Sequence, residues 1–226
     1  MQKFSAVERK RSVTKFLILS SLIIMYSTRS GLMLGFHGCD ESVVHAVLNG
    51  HSFLKTSSNN YDWLGHGIYF WENSPSRAYE YADYLRKHPK RSLSIIAKPA
   101  VIGAVVDLGT CLDLLDYQNL QLLKIAYQFI SAQKKTSIPQ NKTIDNSGDI
   151  LLKELDCRVI ETVHALKEEA GQDAFDSVRG VFFEGEEIYP NASFRVKDHI
   201  QICVRNPNCI KGFFLPRDLD KQFSKV

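Results

Sequence analysis

Four side chains far apart in the sequence could together handle a flat, electron-poor ring. His37 ends the apolar run LMLGFHG (32–38) and is followed by Gly38, a residue with no side chain to keep a ligand off its backbone. Tyr69 lies 32 residues on, in DWLGHGIYFWENSPSRAYEYA (62–82), a window holding three tyrosines, two tryptophans and a phenylalanine. Two glycines just before Tyr69 allow backbone to approach such a ring, and stacking contributes about 1 kcal/mol per aromatic pair beyond burial. Tyr81, on the following segment, offers a second aromatic face, while Trp63 and Trp71 read as core or cleft-wall residues. Near the end of the chain, HIQICV (199–204) places His199 and Gln201 on the same side of a strand, an imidazole able to take a proton beside an amide able to accept a hydrogen bond. The segment before it carries Glu184, Glu186 and Glu187, candidate carboxylates that are otherwise surface charge.

The elements that must position these residues follow from hydrophobic period and breakers. LMLGF reads as a buried strand, Asp40 as the cap of a short helix carrying Val44, Val47 and Leu48, and Gly50 as its stop. GIYFWE reads as a strand, and Ser74-Pro75 opens a helix whose inward stripe is Ala78, Tyr81, Ala82 and Leu85, with Tyr79 pointing elsewhere. SLSIIAK (92–98) and AVIGAVVDLG (100–109) are β-branched strand material interrupted by Pro99. Leu120, Leu123, Tyr127 and Ile130 mark one helical stripe. Leu152, Leu155, Val159, Val163 and Leu166 mark a second, closed by Gly171. GVFFEG, HIQICV and CIKGFFL return to strands, the last two joined by RNPN as a hairpin. Strand-rich ends around a helical middle predict an α+β fold.

Composition excludes several classes. With 44% hydrophobic and 23% charged residues, the 226-residue chain fits one ordinary domain. Its net charge of +3 is concentrated in residues 1–15, which hold five cations (Lys3, Arg9, Lys10, Arg11, Lys15) and one anion (Glu8), net +4. The remainder is −1, which removes a global argument for nucleic-acid binding and leaves two basic clusters, Arg86 to Arg91 and Lys134, Lys135 and Lys142. Five scattered cysteines with no C-x-x-C indicate neither a disulfide framework nor a zinc site, and so a reducing cytoplasm. Residues 1–30 form a basic and apolar leader, with FLILSSLIIMY (16–26) in the pattern of a secretory segment but too short to span a bilayer; secretion is the alternative to a cytoplasmic location.

Taken in order, LMLGFHG, Tyr69 in GHGIYF, the Ser-Pro-opened helix with AYEYA, and HIQICVRNPNCI resemble the catalytic domain of diphtheria-toxin-type ADP-ribosyltransferases, a group that includes poly(ADP-ribose) polymerases and many bacterial toxins. The resemblance spans roughly residues 32–214, with the helical middle matching in position rather than in motif. It implies split antiparallel sheets around an NAD cleft with flanking helices, a catalytic domain over 31–216 and a tail over 217–226. It implies that His37 holds the adenosine-side ribose, that the Gly38 backbone pairs with the nicotinamide carboxamide, and that Tyr69 and Tyr81 sandwich the nicotinamide ring. NAD+ is then a co-substrate and no metal is needed. Two departures stand out. Gln201 occupies the position of the family's glutamate, which stabilises the oxocarbenium-like transition state, and Cys39 replaces a hydroxyl residue after His-Gly. An uncharged third residue disfavours chain elongation, so the expected activity is transfer of a single ADP-ribose to a protein or nucleic-acid acceptor, as in a toxin that an antitoxin protein would restrain. An NAD or ADP-ribose sensor and an NAD glycohydrolase are the alternatives.

Overall fold

The computed structural model describes residues 31–91, 94–133, 137–143 and 149–218, with isolated positions at 14, 221, 222 and 224. The apolar leader segment 16–26 and the Lys134–Lys135 pair lie outside the described residues. The element order is β1 (Met33–Asp40), α1 (Glu41–Leu48), β2 (Ile68–Glu72), α2 (Pro75–Lys87), β3 (Pro99–Val106), β4 (Cys111–Asp113), α3 (Tyr117–Ser131), β5 (Lys142–Thr143), β6 (Ile150–Leu152), α4 (Glu154–Glu169), β7 (Ser177–Phe182), β8 (His199–Val204) and β9 (Ile210–Phe214). Seven strands form one sheet in the order β4-β7-β8-β2-β1-β3-β9, and β5 pairs with β6 apart from it. All neighbours in the large sheet run antiparallel except β4 and β7, so the fold is α+β.

Strand alternation sorts the sheet into two buried faces. On one, Ile202 and Val204 of β8, Phe70 of β2 and Ile102, Ala104 and Val106 of β3 pack with Val44 and Val47 of α1. On the other, Val178 and Cys203 meet Leu122, Ile125 and Ala126 of α3 and Val159, Ile160 and Val163 of α4. At the far end of that second face, Phe36 and Trp71 are covered by Ala78 of α2. Local signals hold where expected: the Asp40 carboxylate accepts from Ser42 N at 3.0 Å to cap α1, and Gly50 and Gly171 follow their helices at φ 70° and 72°.

Several sequence expectations are corrected. Residues 94–98 form no strand, and Pro99 begins β3 instead of interrupting it; the Asp40 carboxylate takes the amides of Ala97 and Lys98 at 2.8 and 2.9 Å, removing them from any ladder. β8 and β9 do not pair as a hairpin, because β8 lies between β7 and β2 whereas β9 pairs with β3, where Phe214 meets Phe36 edge-on at 5.9 Å. The buried stripe of α3 is Asn119, Leu122, Ile125, Ala126 and Ile130, leaving Leu120 and Tyr127 exposed. Leu152 belongs to β6, and Ser74 makes no capping bond although Pro75 does open α2.

His164 is among the core residues that resist the rule that buried polar atoms are paired. His164 of α4 is 2% exposed, edge-on to Phe175, and both ring nitrogens lack a hydrogen-bond partner. Burial pushes its imidazole down to about 3. A folded-state value below the unfolded one means that the unfolded chain binds the proton first, so stability falls as pH drops below about 6.5 and continues to fall toward about 3, by about 1.4 kcal/mol per unit at most. His164→Leu is expected to raise stability at neutral pH and to flatten this acid limb, as read by urea denaturation between pH 7 and 4. An unchanged limb would assign the acid sensitivity to other groups.

Candidate active site

The centre of the sheet is joined by a short seam. β1 pairs with β3 along all eight residues from Met33 to Asp40, and β2 pairs with β8 from Ile68 to Trp71. Between β1 and β2, however, only Gly35–Glu72 and Phe36–Trp71 are in register, so the two strands part at His37. The His37 ring bridges this fork, with Nδ1 2.8 Å from the Tyr69 carbonyl oxygen. A carbonyl only accepts, so Nδ1 carries the proton and donates. Burial lowers the imidazole pKa against the pull of that backbone bond, which favours the neutral ring with its lone pair on Nε2.

Gly38 sits on the β1 side of the fork. A Cβ there would stand 1.9 Å from the Ala78 carbonyl and 3.2 Å from the Ala82 methyl, so a larger residue would push α2 off the sheet. The sequence reading assigns this glycine to ligand approach alone; the packing of α2 requires it as well. Cys39 turns into the core beside Val44 and Phe70, where burial raises its thiol to about 11.

Tyr69 is fixed at its hydroxyl, which donates to Gly65 O at 2.6 Å and accepts from Leu64 N at 2.8 Å. Gly65 makes the necessary turn at φ 76°. Burial raises the phenol well above its usual value and keeps it neutral. The ring is half-buried and makes no ring contact with Tyr81 among the described residues. Tyr81 instead leans on Trp71, with centroids 5.1 Å apart at 46°, and desolvation lifts its hydroxyl to about 12. Trp71 shares its face of β2 with Tyr69, but Tyr69 packs toward α3 and α4 whereas Trp71 packs with Phe36 and Ala78.

Gln201 is directly opposite Trp71 on one side and Gly180 on the other. Its side chain is 8% exposed and forms no hydrogen bond with another described residue. His199, two residues earlier on the same side of β8, has Trp63 stacked on it at 6.1 Å and 25°, with Phe182 at 5.7 Å and Trp71 at 6.3 Å. Its Nδ1 donates to Lys197 O at 2.6 Å, and burial lowers its pKa. Of the three loop glutamates only Glu184 turns inward, where Arg77 of α2 holds it at 3.1 Å. Glu186 and Glu187 are exposed, Glu187 accepting from Asn191 N. Burial raises the Glu184 carboxyl despite Arg77. A pocket of about 400 Å3 borders this corner, its walls including Trp63, Phe182, Glu184, Asp149, Lys153 and Arg195.

The fold joins His37 to the backbone carbonyl of Tyr69 but turns the His37 ring edge-on to Phe70 at 6.0 Å, on the sheet face opposite the Tyr69 ring; it aligns Gln201 with Trp71 on the Tyr69 face, and leaves Tyr81 on Trp71 rather than across a slot from Tyr69. Sequence reasoning overlooked Arg77 and Phe182. The helical spacing of Arg77 and Tyr81 was the available signal for the first, while nothing local marks Phe182. Of the basic cluster, Arg86 and Lys87 pair with Asp83 and Arg91 with the Tyr84 hydroxyl. All five cysteines are free and buried, and among the described residues no three His, Cys, Asp or Glu side chains gather to hold a metal ion. No described helix is long and apolar enough to cross a membrane.

The chain is 27% identical over 205 residues, covering 82% of its length, to an uncharacterized protein of Methanocaldococcus jannaschii, of which 89% is matched. No protein-family profile matches the chain, and neither does any solved structure.

Proposed function

We propose that the protein cleaves NAD+ at the nicotinamide–ribose bond and transfers one ADP-ribose to a macromolecular acceptor. The fork between β1 and β2 at His37 carries this reading: it opens the middle of a continuous sheet beside a glycine, a pinned tyrosine and a strand bearing Gln201. In this reading the free Nε2 of His37 accepts from a hydroxyl of the adenosine-side ribose, and backbone freed at the fork pairs with the carboxamide. Tyr69, immobilised by Leu64 and Gly65, presents its ring to the pyridinium without first having to be ordered. Gln201 accepts from a hydroxyl of the reacting ribose but supplies no charge to the developing cation, which suits a single slow transfer better than polymer growth. Binding energy from the adenosine end helps to hold the reacting end in place.

The test is labelling of a cell lysate with tagged NAD+. Wild-type protein should transfer label, and His37→Ala and Tyr69→Ala should abolish it. Tyr69→Phe keeps the ring but unpairs Leu64 N–H and Gly65 O, so it is expected to cost about 1–3 kcal/mol of stability while retaining labelling. Equal loss in Tyr69→Phe and Tyr69→Ala, with both folded, would remove ring stacking from the account.

Gln201 also favours a second reading, an NAD or ADP-ribose sensor without turnover. It predicts measurable NAD+ binding with no release of nicotinamide. Free ADP-ribose without labelled macromolecule would instead indicate a glycohydrolase.

A further inference from the structure

We propose, building on the transferase reading, that His199 is a catalytic base that takes the proton of an attacking hydroxyl on a polypeptide acceptor. Three observations converge on it. The 2.6 Å contact to the Lys197 carbonyl places the only proton of a neutral ring on Nδ1, so Nε2 is a lone pair. That Nε2 is fully buried and has no partner, in a side chain 7% exposed. The indole N–H of neighbouring Trp71, a donor in a residue 5% exposed, is equally buried and unpartnered. An orphaned acceptor and an orphaned donor on adjoining rings are each unfavourable unless something answers them. A hydroxyl held between these two rings, whose centroids are 6.3 Å apart, would do both at once, donating to His199 Nε2 and accepting from Trp71 Nε1. A carboxylate has no proton for the imidazole, and a guanidinium has no lone pair for the indole.

Gln201, opposite Trp71 and two residues after His199 on β8, is assigned to the reacting ribose, which would bring the hydroxyl to the anomeric carbon. The step balances as follows. The acceptor oxygen bonds to C1′ and its proton passes to His199 Nε2. The C1′–N bond breaks with its electron pair going to the pyridine nitrogen, nicotinamide leaves neutral, and the imidazolium returns its proton to solvent.

The charges around His199 agree with this role. Arg77 and Glu80 of α2 and Asp198 beside it act on the ring, with the Arg77 contribution and burial holding it neutral against the two anions. Trp63, Phe182 and Trp71, which enclose it, carry no charge. The adjoining pocket has three carboxylates, Asp149, Asp156 and Glu184, against Lys153 and Arg195, and Phe183, Ile188 and Phe194 are exposed on the β7–β8 connection. Asp149 is paired with Arg195 and Glu184 with Arg77, so the approach carries little net charge and offers exposed apolar side chains, which suits a polypeptide better than a phosphate backbone.

The experiment follows tagged-NAD+ labelling of a lysate by the full-length protein, alongside nicotinamide release with azide as the added nucleophile. The label should be removed by protease but not by nuclease, and should survive neutral hydroxylamine, as an acetal linkage does and an ester does not. His199→Gln should lower transfer by about 10²- to 10⁴-fold, while azide, already an anion, restores nicotinamide release. In the wild type, transfer should fall with acid as Nε2 is protonated, whereas azide-dependent release should not follow that limb, a readout that survives even if the variant fails to fold. Hydroxylamine-labile or nuclease-released label overturns the proposal, as does a folded His199→Gln that azide cannot rescue or that transfers normally. A wild-type protein that releases no nicotinamide with any nucleophile overturns the transferase reading itself.

Discussion

On the transferase reading, Gln201→Glu is expected to raise the rate of nicotinamide release by about 10²-fold, because it would place a negative charge where that reading has positive charge develop on the ribose. The size follows from the position. Gln201 is 8% exposed between Trp71 and Gly180, so a charge there is screened less than one at the surface. The same burial raises the pKa of the new carboxyl. The gain should therefore grow with pH as the carboxylate forms and vanish in acid, a sign opposite to that of any general inhibition by alkali. Initial rates of nicotinamide release across pH 5–9, for wild type and variant, measure it. No increase at any pH, with NAD+ binding intact, would place Gln201 outside the reacting centre and strengthen the sensor reading.

Arg179→Met should be the most damaging single change to stability. The Arg179 guanidinium meets Glu72 through two bonds, at 2.5 and 2.9 Å, and both oxygens of Asp113 at 3.3 Å. All three side chains are at most 10% exposed. Removing the cation leaves two buried carboxylates facing each other, a loss of about 3–5 kcal/mol. In a chain of this size that lowers Tm by roughly 10 °C or more. The triple variant Arg179→Met, Glu72→Gln, Asp113→Asn should recover much of the loss, since it removes the stranded charges rather than the packing. Thermal and urea unfolding of the two variants decide between lost charge compensation and simple loss of side-chain volume. The triad also bears on the site: Glu72 ends the strand that carries Tyr69 and Trp71, while Arg179 and Asp113 belong to β7 and β4. It pins three strands from the face opposite Gln201, so activity should fall together with rigidity in the single variant and return in the triple one.

Much of this protein is written locally. Asp40, Pro75, Gly50 and Gly171 punctuate helices through their own backbone chemistry, and the apolar, β-branched and aromatic runs LMLGF, GIYFWE and HIQICV mark strands whatever they pair with. His37, Tyr69 and Gln201 stand on strands that are readable in the same way, but it is the family resemblance, not their local chemistry, that singles them out as site residues. Which side of a helix faces inward was not legible in α3, where Leu120 and Tyr127 look like core but the neighbouring helix α4 covers Leu122, Ile125 and Ala126 instead.

Tertiary structure alone set the partnerships. RNPN is a turn sequence, yet the strand after it pairs with β3, because register and neighbour choice come from long-range packing such as Phe214 on Phe36. Likewise Gly38 serves helix α2, Tyr81 rests on Trp71, and Glu184 rather than its two neighbours turns toward Arg77. The fork at His37 and the buried lone pair of His199 are of the same kind. A residue's own chemistry travels with the sequence, but whether an atom is paired, buried or left open depends on which distant atoms fold against it.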